Sequence, residues 1–452
     1  MKTNLYIIRL VSCIFVTVLC VSCGTDVKTE PPLKAESLIV FFTGNTLGEL
    51  KPCGCTGGQL GGLSRRATIF NRVSDDTRLV IDTGSLVAGR GEQDEIKFNI
   101  ILQALGLLDY DLVSLSEEDI ETGKNFGLLD DTGFLFNIIS SKQSSDVDVP
   151  AKFSKSLLLR SKPVLVTIAA FDAKSKPIEQ IGQLFASGVN PAQLDSKSKV
   201  NILILNHCDD TIIDFVTRSV PVVDCIVRPS DSDEPRVAGG LYKKPLVFSV
   251  GRFGRYVCGL QITESPAYKG KPRLRFISIP VKGELKEDAS LVQLYKGYQQ
   301  IVGERNLLEK YQRFILPDNL KYTGSESCKT CHEYEYEKWS QKAHARAYAT
   351  LERFGSQLDP ECVTCHVVGM EYESGFISEQ KTGHMKNVGC ENCHGPGSEH
   401  IRSGGNTAFT GPKSGCIDCH TPDHSGEYAG NEGDFLEKIV HWQEPSSSGS
   451  VK

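Results

Sequence analysis

The sequence has no excess of positive charge and very little methionine. Its 50 Lys and Arg residues are outnumbered by 56 Asp and Glu residues, which gives a formal net charge of -6 at pH 7. No basic block stands out, so electrostatics do not support a nucleic-acid partner. The sequence has only 3 methionines, which makes methionine a poor source of metal ligands.

Long apolar runs are also absent beyond the N-terminus. Residues 10–22, "LVSCIFVTVLCVS", follow Lys2 and Arg9. This run is short for a membrane span and has the length of the apolar region of an export signal. Residues up to Cys23 resemble the lipobox of bacterial lipoproteins, so residues 1–22 are predicted to be a signal peptide and Cys23 a lipidation site. A cleaved signal without lipid and an uncleaved anchor are the alternatives, and export to the periplasm or cell surface follows from each.

Cysteine, by contrast, is abundant, and half of the 16 cysteines lie in four pentapeptides of one form. These are "CKTCH" at 328–332, "CVTCH" at 362–366, "CENCH" at 390–394 and "CIDCH" at 416–420. Two thiols at this spacing can form thioether bonds to the vinyl groups of one haem, and the adjacent histidine then lies under the iron. Zinc ribbons or a disulfide framework would not require a histidine after every second cysteine.

The motifs therefore predict four covalently bound haem c groups. The predicted attachment residues are Cys328, Cys331, Cys362, Cys365, Cys390, Cys393, Cys416 and Cys419, and the predicted proximal ligands are His332, His366, His394 and His420.

Further histidines in the same region are candidates for the distal iron ligands. In order of preference they are His344, His400, His384, His424 and His441. A helix between His332 and His344 would span about 18 Å, so His344 is expected to serve a different haem from His332. Histidine on both sides of the iron favours low-potential electron transfer.

Residues 322–423 resemble the tetrahaem cytochrome c-554 family, because the sequence around and between the motifs matches the family as well as the motifs do. The matching segments are "WSQKAHARAYATL", "DPECVTCHVVG" and "NVGCENCHGPGSEH". The resemblance implies haems stacked in close pairs, with His344 and His400 as distal ligands. It also implies that the haem on Cys362, Cys365 and His366 lacks a distal protein ligand and could bind a small molecule.

Residues 38–283 alternate apolar, β-rich runs with helical stretches, which is typical of an α/β sandwich. They resemble the calcineurin-like metallophosphoesterases of the 5'-nucleotidase type, which implies four α/β/β/α layers. The words that carry this resemblance are "FFTGNTLGEL", "GGLSRRATIF", "VIDTGSL", "SLSEEDIETG", "LNHCDD" and "VFSVGRFGRYVCGLQI", the last of which matches a closing β-hairpin of the family.

The metal ligands of that family are mostly missing. The resemblance places Asn45, Leu47, Ser85, Glu117 and Glu118 at ligand positions and retains only Asp82 and His207. One carboxylate and one imidazole cannot hold two metal ions, so phosphoesterase activity is predicted to be lost. Glu117, Glu118 and Asp119 are interpreted as a solvated loop. Cys53 and Cys55 are either a thiol or soft-metal site or simply oxidised or buried cysteines.

The predicted domain organisation is a signal peptide (1–22), a linker (23–37), the degenerate phosphoesterase-like domain (38–283), a bridging helix and linker (284–321), a mainly α, loop-rich tetrahaem domain (322–430) and a tail (431–452). The bridging helix is predicted over 289–312.

The predicted function is electron transfer between redox partner proteins such as other cytochromes, with the N-terminal domain as docking or structural support. The alternatives are a haem oxidoreductase of a small nitrogen or sulfur species, and a metal-dependent phosphoesterase or 5'-nucleotidase.

Overall fold

The computed structural model describes residues 37–52, 59–129, 133–141, 149–174, 176–186, 199–239, 245–264, 272–407, 415–421 and 424–442. The predicted signal peptide and the lipidation site at Cys23 lie outside these residues, as do Cys53 and Cys55.

The described strands belong to the first 280 residues. They are β1 (Leu38–Thr43), β2 (Arg78–Asp82), β3 (Leu112–Leu115), β4 (Asn137–Ser140), β5 (Lys152–Leu159), β6 (Lys162–Asp172), β7 (Lys199–Asn206), β8 (Cys225–Val227), β9 (Val237–Gly239), β10 (Leu246–Phe248), β11 (Tyr256–Thr263) and β12 (Arg273–Pro280).

The described helices occur throughout the chain. They are α1 (Leu63–Phe70), α2 (Glu92–Leu107), α3 (Glu117–Asn125), α4 (Ile181–Ala186), α5 (Asp210–Ser219), α6 (Ala289–Glu304), α7 (Leu307–Lys310), α8 (Glu333–Ser340), α9 (Ala347–Phe354), α10 (Pro360–Val363), α11 (Glu379–Thr382), α12 (Cys390–His394), α13 (Ser398–Arg402) and α14 (Glu432–Ile439).

The strands form two sheets of six, with the orders β12-β11-β1-β2-β3-β4 and β5-β6-β7-β8-β10-β9. In the first sheet, β1 to β4 run parallel while β11 pairs antiparallel with β1, so that Val40 faces Leu260 and Leu79. The near-continuous apolar sequence of β1 fits a central strand that is buried on both faces. β10 pairs with β8 and β9 in the second sheet, whereas β11 lies in the first sheet. The prediction that these two strands form a hairpin is therefore wrong.

Three apolar cores separate four layers. Alternate residues of β1, such as Val40 and Phe42, pack between the two sheets against residues of β6 such as Val166. Helices α1, α2 and α6 cover the outer face of the first sheet. Helices α4 and α5 cover the outer face of the second. This arrangement confirms the predicted α/β/β/α sandwich.

Helix α3 corrects the interpretation of Glu117, Glu118 and Asp119 as a solvated loop. The Ser116 hydroxyl accepts a hydrogen bond from the Asp119 backbone N–H, and the Asp119 carboxylate accepts one in return from the Ser116 N–H. This capping box begins a helix that runs to Asn125. Asp119 is buried rather than solvated. The serine and the acidic residue three positions later were the sequence signal for this helix.

The region after α6 is helical and loop-rich, as predicted. The bridging helix ends at Glu304, earlier than predicted, because Asn306 adopts a left-handed conformation with φ 54°. Val302 of α6 belongs to the core under the first sheet, whereas Leu308 of α7 belongs to a separate core with Tyr348, Val363 and other apolar residues. The α6–α7 segment therefore joins the α/β part to the C-terminal part.

Candidate functional site

Each CxxCH pentapeptide lies on a short helical turn. The second motif spans α10 and the 3-10 turn Thr364–His366, and the third motif is α12 itself. The first begins at the end of the 3-10 turn Ser325–Cys328, and the fourth begins with the 3-10 turn Cys416–Asp418. Residues three apart on such a turn share a face, so the two cysteines of each motif point to one side.

Cysteines from different motifs are neighbours in space. The thiols of Cys328 and Cys390 lie within hydrogen-bonding distance, which joins the first and third motifs. The thiols of Cys365 and Cys419 also lie within hydrogen-bonding distance, which joins the second and fourth motifs. Cys393 in turn lies close enough to Cys419 for electrostatic interaction. The motifs are thus arranged in the spatial order first, third, fourth, second, which differs from their order along the chain.

A buried carboxylate, that of Glu391, holds the third motif against the segment that leads into the first. Glu391 accepts hydrogen bonds from the backbone N–H groups of Thr323 at 3.0 Å, Gly324 at 2.7 Å and Gly397 at 2.6 Å. The Ser325 hydroxyl accepts a bond from the Cys390 N–H. Because hydrogen bonds to a charged acceptor are strong, this carboxylate defines the relative position of the two motifs.

Three histidines that follow CxxC each lie beside a histidine from elsewhere in the chain. The ring centroids of His332 and His400 are 6.0 Å apart, with an interplanar angle of 26°. Those of His344 and His420 are 6.2 Å apart, at 37°. The third pair, His394 and His441, is separated by 6.4 Å at 84°.

These separations fit metal coordination between the rings. Two imidazoles that bind one metal ion from opposite sides, with metal–nitrogen bonds of about 2 Å, hold their ring centroids roughly 6 Å apart. Ring rotation about the metal–nitrogen bonds leaves the interplanar angle variable. The three pairs therefore have the spacing that two axial histidines of one haem iron require.

Hydrogen bonds at Nδ1 orient several of these rings. Nδ1 lies 2.7 Å from the Ala347 carbonyl in His366, 2.7 Å from the Thr407 carbonyl in His400 and 2.9 Å from the Ile439 carbonyl in His441. Nδ1 of His420 lies 3.0 Å from the Ser425 hydroxyl. Because a carbonyl accepts the proton on Nδ1, the lone pair of a neutral ring is on Nε2, and hydrogen bonds of this kind orient histidines that bind a metal.

Burial favours the neutral imidazole, which is the form that binds a metal. It lowers the pKa of His344, His366, His394 and His420. Neighbouring histidines lower the pKa of His344 and His394 further, because two imidazolium ions repel each other.

The structure places the two highest-ranked distal candidates beside motif histidines, and it adds the candidate that was ranked last. His344 lies beside His420 and His400 beside His332, so His344 does not meet the nearest motif histidine in sequence. His441, ranked last, lies beside His394. His384 approaches Gly324, and His424 bonds through Nδ1 to the Thr421 hydroxyl. The position of His441 in the sequence, after the short helix α14, did not indicate that it would lie near a motif histidine.

Asp82, which the sequence resemblance places at a metal-ligand position, accepts hydrogen bonds within the protein. Asp82 accepts bonds from the Thr43 hydroxyl at 2.6 Å and the Gly84 N–H at 2.9 Å. Burial raises its pKa, an effect that the charge of the buried Arg66 opposes. Arg66 also donates to the hydroxyl oxygens of Tyr110 and Thr46. These contacts stabilise the loops after β1 and β2.

Other residues that the sequence resemblance places at ligand positions have an unusual backbone conformation. Asn45, Leu47, Ser85 and His207 have positive φ angles of 47°, 53°, 57° and 48°. Such angles cost free energy for residues other than glycine. The Asn45 amide donates to the Gly251 carbonyl, and Nδ1 of His207 lies 3.3 Å from Asp172. Within the described ranges, no group of three or more His, Cys, Asp or Glu side chains is arranged to hold a metal ion.

Cys225 and Cys258 are buried core residues, and Cys208 is half-buried. Burial raises the pKa of the Cys208 thiol to about 11, so this thiol stays protonated.

In the part of the chain that the structure describes, we find no helix with the length and apolar character needed to cross a membrane.

Comparison with known proteins confirms the predicted resemblance of the C-terminal region. Residues 327–395 match the family described as Cytochrome c554 and c-prime. Cytochrome c-554 of Nitrosomonas europaea is 32% identical over a 102-residue alignment, which covers 18% of this chain and 43% of the relative. The chain thus matches less than half the length of this curated relative.

Solved structures that match the chain include the two enzyme types predicted for the N-terminal part. A calcineurin-like phosphoesterase of Bacillus subtilis matches with a TM-score of 0.45 at 14% identity, over 60% of this chain and 98% of that one. A 5'-nucleotidase precursor of Thermus thermophilus matches with a TM-score of 0.46 at 17% identity, over 62% and 61% of the two chains.

Proposed function

We propose that this protein is an exported multihaem c-type cytochrome that carries electrons. The observation that carries the proposal is the set of three imidazole pairs, separated by 6.0, 6.2 and 6.4 Å, each of which joins a CxxCH histidine to a histidine outside the motifs. In an ordinary protein core, no packing rule would bring three such pairs together at the spacing of axial ligands.

The residues would hold four haem c groups as follows. The two cysteines of each motif form the thioether bonds, and the histidine that follows them is an axial ligand. His400, His344 and His441 would supply the second histidine to the haems of the first, fourth and third motifs, respectively. The haem of the second motif is held by Cys362, Cys365 and His366. When bound, haem iron with two histidine ligands supplies reversible one-electron transfer at low potential.

The chain itself supplies the order and spacing of these groups. Neighbouring thiols connect the first motif to the third, the third to the fourth and the fourth to the second. Glu391 and Ser325 maintain the first of these contacts through buried hydrogen bonds. We infer that this continuous series of attachment sites, together with ligands as far along the chain as His441, is what makes the C-terminal region an electron carrier.

The phosphoesterase-like domain is assigned a structural or docking role. Its inferred ligand positions include Leu47, which cannot bind a metal, and Asp82, whose oxygens accept hydrogen bonds within the protein. The predicted signal peptide, with lipidation at Cys23, would place the protein on the outer side of a bacterial membrane. Its partners there would be redox proteins such as other cytochromes.

A visible and electron spin resonance spectrum of the full-length holo-protein tests this proposal. Expression with the haem-attachment machinery should yield reversible c-type bands and four haems per chain, one for each CxxCH motif. The three histidine pairs predict three low-spin signals. A preparation that contains zinc and shows no haem bands would overturn the proposal. Manganese-dependent hydrolysis of a generic phosphate ester would overturn the structural role of the N-terminal domain.

A further inference from the structure

Two polar clusters connect the phosphoesterase-like domain to the second CxxCH motif. Helix α2 supplies Gln93 and Lys97, which are four residues apart and therefore lie on one face of the helix. Helix α6 supplies Tyr298. On the other side of the contact are Asp359, three residues before Cys362, and Glu361, directly before it.

The first cluster is buried around Asp359. The Gln93 amide donates to the Tyr298 hydroxyl oxygen at 2.9 Å and to Asp359 Oδ1 at 2.8 Å. The Tyr298 hydroxyl donates to Asp359 Oδ2 at 2.9 Å. Asp359 also caps α10, because its Oδ1 accepts a bond from the Glu361 N–H. Since a buried carboxylate is stabilised by such donors, the two α/β helices determine where the helix of the second motif begins.

The second cluster places charge beside the motif. Lys97 Nζ lies 2.5 Å from Glu361 Oε2, and the lysine side chain is only 8% exposed. Burial alone would lower the pKa of Lys97, but the carboxylates of Glu361, Asp359 and Glu49 raise it, so the lysine stays charged. The Lys97 ammonium group thus pairs with Glu361, the residue directly before Cys362, and the charges of Asp359 and Glu49 also act on it in a partly buried region where charges interact strongly.

On the basis of the function proposed above, we propose that the phosphoesterase-like domain positions the second haem motif and adjusts the reduction potential of its haem. Gln93 and Tyr298 position the motif by holding Asp359. Lys97 offsets the negative charge of Glu361 and its neighbours, and a cation near a haem favours the reduced iron because reduction adds one negative charge. Lys97 acts on the haem through its charge and is not a ligand of the iron.

The test is a potentiometric titration of full-length holo-protein variants, followed through the haem bands. Lys97→Met removes the cation and should shift one haem wave to lower potential. Glu361→Gln removes a carboxylate and should shift the same wave to higher potential. The double variant should return the wave toward the wild-type position, because the two charge changes cancel. Lys97→Arg should preserve the wild-type wave.

Lys155→Met is the matched control, because Lys155 also forms an ion pair at 2.5 Å, with Asp111, but within the α/β domain. This variant should leave every haem wave in place. Equal displacement of all waves in Lys97→Met, or shifts of the same sign in Lys97→Met and Glu361→Gln, would overturn the inference, since a general structural change would produce them. Absence of haem bands in the wild-type protein would instead refute the proposed function itself.

Discussion

Replacement of Glu391 by alanine should destabilise the C-terminal module severely. Glu391 is 2% exposed and accepts hydrogen bonds from the backbone N–H groups of Thr323, Gly324 and Gly397. Alanine leaves these three donors without their acceptor. At about 1–3 kcal/mol for each buried group left unsatisfied, the expected loss is about 3 kcal/mol or more.

Glu391→Gln should cost less than Glu391→Ala but should not be neutral. The amide keeps one oxygen as an acceptor but turns an N–H group toward one of the backbone donors. Because the wild-type carboxylate bonds to Gly324 through one oxygen and to Gly397 through the other, either orientation of the amide loses one of these contacts.

Denaturant unfolding of the holo-protein, followed by the Soret band, measures both variants. Glu399→Ala is the control, because Glu399 pairs with Arg402 on the surface, where the arginine side chain is 76% exposed. Such a pair contributes less than about 1 kcal/mol. If Glu391→Ala unfolded within about 1 kcal/mol of the wild type, the argument that this carboxylate holds the first and third motifs together would be refuted.

Four further outcomes are expected. His441→Ala should convert one low-spin haem to high-spin in the electron spin resonance spectrum, whereas His384→Ala should leave the low-spin signals intact; the reverse result would contradict the ligand assignment. Ser161→Gly should stabilise the protein by up to about 1 kcal/mol, because Ser161 has a φ of 67°, while Ser161→Ala, which keeps the Cβ atom, should give no gain in thermal unfolding. Burial raises the pKa of Asp82 above 3.8, so the folded state favours the protonated carboxyl, and stability should fall as pH rises from 3.8 through the folded pKa. Asp82→Asn should make the urea midpoint of unfolding less dependent on pH in this window. An unchanged dependence of the midpoint on pH would argue against the burial effect. Cys23→Ala should release the exported protein from the membrane fraction, and retention there would refute the lipid anchor.

Much of the architecture could be predicted because local patterns of apolar and polar residues indicate which segments form strands and helices. The apolar run of β1 and the helical spacing of α2 predicted the α/β layers. The errors arose where a local pattern was ambiguous or where a long-range choice mattered. Ser116 and Asp119 form a capping box that was interpreted as a loop. β10 and β11 are adjacent in sequence but enter different sheets, and no local signal distinguishes this from a hairpin.

The contact between the α/β part and the second motif had a weak signal in the sequence. Lys97 lies in the segment "EIKFNII", directly before the buried Phe98. A lysine at a buried position needs a partner of opposite charge, but the sequence does not say which carboxylate it meets. The partner, Glu361, is 264 residues away.

By itself, the sequence determined the four attachment motifs and the types of residue available as ligands, because two cysteines and a histidine at this spacing act within one helical turn. It also led to the prediction that Leu47 and Ser85 stand at metal-ligand positions of the family that the α/β part resembles. Only the tertiary structure decided which histidine meets which motif and in which spatial order the motifs lie. These contacts join His344 to His420 and His394 to His441 across intervening helices, and they depend on how the chain packs rather than on any local preference.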